Sequence, residues 1–253
     1  MTELTILTGA SRGMGHAIAK ALMHEDMILI TMQRHPNESL EADAASCGCQ
    51  LIQLAVDLAD VQKASQMMAD TLALVPGWQS LERLTLICNA GVNGPAGFAE
   101  DPSDEDFIFT QNVMALSPMV MTRRFLRETK DFKGKRRVLC ISSGNGRNPV
   151  MALSAYGTAK ASLDAFCRCA AFDESGKPNP VPIVALAPGI IETDMQRHSR
   201  AEMALPTEVR EKYIRYHNEG RLMTPEAAAQ KILAYMDRDD FGARPVADVR
   251  EPA

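Results

Sequence analysis

Residues 4–15 read LTILTGASRGMG, an apolar run from Leu4 to Thr8 that passes directly into a glycine-rich turn, with a helical pattern opening at His16. A strand feeding such a turn and then a helix brings backbone N–H groups close to a pyrophosphate and aims a helix N-terminus at its charge. Gly9, Ser11, Arg12, Gly13, Met14 and Gly15 are therefore the candidate phosphate cradle. Glycines alone would be a weak signal. The strand before, the helix after and the place in the first βαβ unit strengthen it.

The same rhythm continues outward from this stretch. Strands are predicted over 27–32, 50–56, 84–89, 137–142 and 182–187, with a short last one at 246–249. Helices are predicted over 16–23, 38–45, 61–74, 104–130 and 154–173. Single helices between short apolar strands mean βαβ units and a parallel sheet. The segments ILIT, LTLIC, RVLCI and IVALA are apolar on both sides, as strands covered on both faces must be. The expected fold is α/β, one doubly wound Rossmann domain of about seven mostly parallel strands. Residues 190–223 break the rhythm after the sixth strand, at the edge where ligands bind, and are expected to form a substrate lid. Thr224-Pro225-Glu226 then restarts a helix with a capping hydroxyl, a first-turn proline and an acid.

Composition limits what the chain can do. It has 253 residues, 46% hydrophobic and 23% charged, with net charge −5, which suits one folded domain with a sizeable core. The slightly acidic balance, without dense Lys/Arg runs, argues against nucleic acid or an anionic membrane as the main partner. No apolar run reaches the ~18 residues that span a bilayer, and MTELTILTGA lacks a signal-peptide pattern, so a soluble cytoplasmic location is expected. Six cysteines contain no C-x-x-C pair, so free thiols and no metal centre are expected. His16, His24, His198 and His217 have no nucleophile at a recognisable spacing.

The end of the second predicted strand chooses the coenzyme. It reads Met32-Gln33-Arg34-His35, with no carboxylate before Glu38. An acid there would bind the ribose hydroxyls, whereas a cation accommodates a 2′-phosphate. Arg34, helped by Arg12, therefore points to NADP. Further on, Tyr156 and Lys160 stand i and i+4 on one predicted helix and share a face. With Ser142-Ser143, Asn89-Ala90-Gly91 and Pro188-Gly189 they gather after successive strands at one sheet edge.

These residues resemble those of the short-chain dehydrogenase/reductase family, in its single-domain, NADP-preferring form, over essentially the whole chain. The matching motifs are TGASRGMG, Asp57-Leu58, CNAG at 88–91, Asn112, Ser143, YGTAK at 156–160 and PGIIET at 188–193. SSGNGRNP, SAYGTAKASLDAF and PGIIETDMQ are similar to the sepiapterin reductase and benzil reductase branch. Two departures stand out. Cys88 replaces a frequent Asn, and no carboxylate matches the pterin-binding one near the C-terminus, where Asp248 and Glu251 are the nearest acids.

The resemblance implies a tetrad of Asn112, Ser143, Tyr156 and Lys160. Ser143 is chosen over Ser142 because it lies thirteen residues before Tyr156. Tyr156 would protonate the substrate oxygen, Ser143 would hold it, Lys160 would bind the nicotinamide ribose and support the phenolate, and Asn112 would hold a relay water. Asp57 and Leu58 would flank the adenine, and Thr193 would bond the carboxamide. Asn89, Ala90, Gly91, Pro188, Gly189 and Ile191 would complete the coenzyme site. The implied activity is NADPH-dependent reduction of a small ketone or vicinal diketone. The alternative is a cofactor-binding regulatory or scaffold protein with vestigial catalysis. Met151, Met195 and Met203 fall where a substrate pocket is expected. Apolar Phe107, Val113, Leu116, Leu163 and Phe166 are read as surplus on two helices, so a homodimer or homotetramer is expected.

Overall fold

Short, mostly apolar runs of three to seven residues become the strands of one sheet, ordered β3-β2-β1-β4-β5-β6-β7. These are β1 (Glu3–Thr8), β2 (Met27–Gln33), β3 (Gln50–Ala55), β4 (Arg83–Cys88), β5 (Lys135–Ile141), β6 (Ile183–Ala187) and β7 (Val246–Asp248). The structure is a computed structural model that describes residues 2–251. Every neighbouring pair is parallel, because each strand is reached through a crossover on a face of the sheet. All of β2 and β6 is buried. Edge strand β3 keeps its polar Gln50 and Gln53 part-exposed.

Alternation along the strands divides the core into two layers. Leu4, Ile6, Leu84, Leu86, Val138 and Ile183 pack against Met68 of α3 (Val61–Thr71), Met121 and Phe125, and Leu163. Leu7, Leu29, Ile87, Leu139 and Val184 face the other way, against Ile18 and Ile232. Ile18 belongs to α1 (Gly13–Leu22), which is followed in the chain by α2 (Glu38–Cys47). This is the helix-on-both-faces sheet that the apolar strands demand.

The helix predicted over 104–130 is interrupted. It forms α4 (Asp104–Gln111), a π-turn over Asn112–Leu116, and α5 (Ser117–Glu128). Pro118 stands in the first turn of α5. Its missing N–H and bulky ring cannot continue a regular ladder, and the wide turn absorbs the break. Ser103 caps α4 by accepting from Asp106 N–H. α1 opens at Gly13, three residues earlier than predicted, because packing holds glycines whose intrinsic propensity disfavours a helix. Val113 and Leu163 are buried at 7% and 1% exposure, so they are core rather than surplus apolar surface; Phe107 and Leu116 are exposed.

Four further helices follow: α6 (Ser154–Ser175), the pair α7 (Asp194–Ala201) and α8 (Thr207–Asn218) within residues 190–223, and α9 (Pro225–Met236). The lid's two ends meet, since Met223 N–H donates to Ile190 O at 2.9 Å and Glu192 N–H to Met223 O at 2.8 Å. Thr224 caps α9 as its sequence requires. All six cysteines are free, and Cys167 and Cys169, two apart on α6, are buried and exposed respectively. Among the described residues no helix is long and apolar enough to cross a membrane, and no cluster could hold a metal ion.

Candidate active site

A parallel sheet brings the C-terminal ends of all its strands to one edge, and there a cleft of about 1380 Å³ opens. That exceeds the ~300–1,000 Å³ of a typical small-ligand pocket and suits a dinucleotide with its substrate. Every residue expected to touch coenzyme lines it: Gly9 to Gly15 without Ala10, Arg34, Asp57, Leu58, Asn89 to Gly91, Pro188, Gly189, Ile191 and Thr193. Ser143, Tyr156 and Lys160 line it too. Asn112 stands behind the wall, where its Nδ2 donates to Ala59 O at 3.1 Å. Met195 faces the cleft, whereas Met151 and Met203 lie outside its lining and are exposed.

The glycine turn is shaped by contacts that only glycine permits. Gly9 has φ +73°, and a Cβ there would lie 2.7 Å from Ala90 Cα. At Gly15 a Cβ would meet Gly9 O at 2.0 Å. The CNAG segment ties this turn to β4: Asn89 Nδ2 donates to Thr8 O and Gly9 O at 3.0 and 3.1 Å. Asn89 and Ala90 N–H both donate to Thr8 Oγ1. No side chain caps the N-terminus of α1, so its N–H groups remain for an anionic ligand. The donor set fits a dinucleotide's pyrophosphate.

At the end of β2 the polar side chain is Gln33, which is buried and donates to Thr31 Oγ1 and Gln53 Oε1, both at 3.0 Å. β2 itself ends without a carboxylate, and the first acid after it, Glu38, opens α2 and also lines the cleft. Arg34 is exposed at the cleft mouth. Arg12, expected beside it, instead pairs with Asp194 at the start of α7, 3.0 Å away. Asp194 also binds Arg197, and these guanidinium groups hold its carboxyl below the usual range.

The catalytic candidates stand where β5 ends and α6 begins. Burial pushes the Tyr156 pKa up, outweighing the neighbouring Ser143, so the phenol is neutral at pH 7. Lys160 is 4% exposed; its Nζ donates to Ile141 O at 2.8 Å and lies 5.9 Å from the Tyr156 ring centroid. Burial lowers its pKa to about 8, against the nearby charges of Cys140, Asp164 and Cys88. The loop entering α6 places Ala152 at φ +63°. That left-handed conformation costs roughly 1–3 kcal/mol in a non-glycine residue, and it delivers Leu153 to the cleft.

Sequence reasoning missed Asp164, one turn beyond Lys160 on α6. It is 2% exposed and accepts a short hydrogen bond from Ser142 Oγ. Arg147 Nε stands 3.7 Å from its other oxygen, an ionic contact too long for a hydrogen bond. Burial pushes the Asp164 pKa up, opposed by Ser142 and then by Arg147, Arg168 and Lys160. The signal was present as an acid at i+4 from a lysine, the spacing of an ordinary surface pair. Glu192 was missed as well. It accepts from Arg200 at 3.0 and 2.8 Å and contacts His217 Nδ1 at 3.2 Å, so it joins α7 to α8. Asp248 lies outside the cleft lining and binds Arg250 through both carboxylate oxygens.

Comparison with known proteins agrees with this geometry. The short chain dehydrogenase family model matches residues 3–204. A benzil reductase ((S)-benzoin forming) of Bacillus cereus is 34% identical over 236 residues, covering 93% of this chain and 94% of its own. A sepiapterin reductase of Meriones unguiculatus is 29% identical, covering 93% and 92%. The crystal structure of the KRED1-Pglu enzyme is similar with a TM-score of 0.80 and 25% identity, over 96% of this chain and 99% of that one. The family match over four-fifths of the chain, on a sheet whose strand ends gather the same motifs, establishes that this protein belongs to the short-chain dehydrogenase/reductase family.

Proposed function

We propose that the protein is an NADPH-dependent carbonyl reductase acting on a small ketone or vicinal diketone, with Tyr156 as general acid. The observation that carries this reading is the half-buried Tyr156 placed with Ser143 and Lys160 in the lining of a dinucleotide-sized cleft. The name of the Bacillus cereus relative, a benzil reductase, supports the diketone. Commitment of Asp248 to Arg250 leaves no matching acid for a pterin ring.

Gly9 to Gly15, Arg34 and Thr193, which line the cleft, would hold NADPH, which when bound would supply the hydride. Ser143 donates a hydrogen bond to the carbonyl oxygen and fixes the carbonyl beside Tyr156. The phenol then gives its proton to that oxygen. A free phenol near pKa 10 is a slow donor, and bringing it to ~7 requires about 4 kcal/mol. The Lys160 ammonium on the same helix face stabilises the phenolate as it forms. Asn112, whose Nδ2 is committed to Ala59 O, keeps its amide oxygen for a water connecting Lys160 to solvent. Purified protein mixed with NADPH and a diketone panel tests this: loss of NADPH absorbance with chiral alcohol product is expected. Tight coenzyme binding without turnover would favour the scaffold alternative instead.

The chain is taken to act as a single domain, with residues 190–223 as its lid, in the cytoplasm, where free thiols persist. A homodimer or homotetramer is proposed from the exposed apolar residues Phe107, Ile108 and Leu116 beside α4 and Phe172 on α6, which is 80% exposed. Light scattering at micromolar concentration should give a multiple of the chain mass; a monomer contradicts the assembly.

A further inference from the structure

The lid is not an apolar cover over Tyr156. Tyr213, on α8, packs against the buried group of Ala152, Leu205 and Val209 and lines the same cleft as Tyr156. Its phenol lies beside the side chain of Asn145, which draws its pKa down. Asn145 also lines the cleft, and its backbone N–H donates to Ser143 Oγ at 3.2 Å. Asn145 therefore stands between the serine on the floor and a phenol on α8, its backbone toward the first and its side chain toward the second. The two phenols are near enough that charge on Tyr213 would disfavour charge on Tyr156. Burial pushes the Tyr213 pKa up, outweighing Asn145, so at neutral pH its hydroxyl is a donor.

We propose that Tyr213 and Asn145 form a second oxygen-binding subsite beside Ser143 and Tyr156, so that the cleft selects substrates bearing oxygens on two adjacent carbons. The proposal rests on the carbonyl-reductase reading and narrows its substrate to a vicinal diketone or α-hydroxy ketone. With one oxygen held between Ser143 and Tyr156, the second lies one carbon away, on the side where Asn145 follows Ser143. The amide NH₂ and the phenol O–H are both donors, which matches a carbonyl oxygen. A monoketone leaves the Tyr213–Asn145 contact as it is. A diketone joins floor and lid through the ligand, which fixes the carbonyl to be reduced and holds α8 over it.

The test compares benzil with deoxybenzoin, which lacks only the second oxygen. One hydrogen bond of this kind is worth about 1–1.5 kcal/mol, or roughly tenfold. Tyr213→Phe, which keeps the ring and its packing, should lower the benzil-to-deoxybenzoin ratio of kcat/KM about tenfold. Asn145→Ala should move the ratio the same way. A contact that merely fastens the lid would slow both ketones alike, and an unchanged ratio in both variants overturns the subsite while the reductase reading stands. Wild-type protein gives an independent readout: hydrobenzoin, with a hydroxyl on each of two adjacent carbons, should inhibit about tenfold more tightly than diphenylethanol, which has one oxygen, and equal inhibition overturns the subsite. Failure of wild type to reduce either ketone with NADPH overturns the reductase reading and the subsite with it.

Discussion

The floor of the cleft and its lid use similar polar groups under opposite conditions. On the floor, Lys160, Asp164 and Ser142 are 4%, 2% and 3% exposed; Lys160 bonds to Ile141 of β5, and Ser142, just past that strand, bonds to Asp164 of α6. On the lid, Arg12 and Asp194 pair at 75% and 52% side-chain exposure, and Glu192 meets His217 at 29% and 52%. Charges interact strongly where water is excluded and weakly where salt and water screen them. The floor is therefore built to tune a proton donor, and the exposed pairs of residues 190–223, the proposed lid, would cost little to break.

The sharpest way to break this contrast is Tyr156→Phe. General acid catalysis typically contributes 10²- to 10⁴-fold, so turnover should fall by at least about a hundredfold while NADPH affinity, measured by fluorescence titration, stays nearly unchanged. Retention of more than about a tenth of wild-type activity would remove Tyr156 from the chemistry and leave the floor without its acid.

Arg34 lies between the two regimes, in the cleft but exposed. Arg34→Ala should raise KM for NADPH about tenfold or more and leave NADH kinetics almost untouched, because charge-assisted bonds to a 2′-phosphate contribute about 1.5–3 kcal/mol each. Added salt should narrow the gap. The pairing of Arg12 with Asp194 puts most of this selectivity on Arg34 alone, so equal damage to both coenzymes would reduce it to a loop cation.

The contrast also explains which features were legible beforehand. Tyr156 and Lys160 could be paired because a helix turns i and i+4 to one face, and the glycine turn could be placed because a parallel sheet fixes the edge at which it lies. Asp164 obeys the same spacing, yet periodicity cannot distinguish a buried acid from a solvated one; Ser142 and β5 decide that. Pro118 carried a clear signal of interruption that the long apolar pattern around it obscured. Tyr213 is far from Asn145 in sequence, and no local rule predicts how a lid helix packs back on the site.

Asp164→Asn tests whether the buried floor is electrostatically coupled. The Asp164 carboxylate raises the Lys160 pKa against burial, so its removal lowers that pKa. In wild type, kcat/KM for NADPH should fall as pH rises through about 8, where Lys160 loses its proton. In Asp164→Asn the falling limb should move to lower pH, with a few-fold loss at neutral pH. A limb that stays in place, with the same loss at every pH, would make Asp164 a packing residue only.

The smallest effect is expected at Glu192. Its contacts with Arg200 and His217 join α7 to α8, and the Arg200 hydrogen bonds, ahead of other causes, hold its pKa below the usual carboxylate value. A depressed carboxylate pKa stabilises the native lid above the unfolded value of ~4.3 and loses that contribution as the pH falls through the folded value. At neutral pH the lid therefore has the full benefit of these pairs, which at this exposure is about 0.2–1 kcal/mol each. Glu192→Gln should raise KM for the carbonyl substrate about two- to fivefold with kcat nearly constant, since the floor is untouched. Limited proteolysis within residues 194–218 should quicken in the variant, and added salt should bring wild type part of the way toward it. A fall in kcat with KM unchanged would show that the lid acts on the chemistry itself and would dissolve the division between lid and floor.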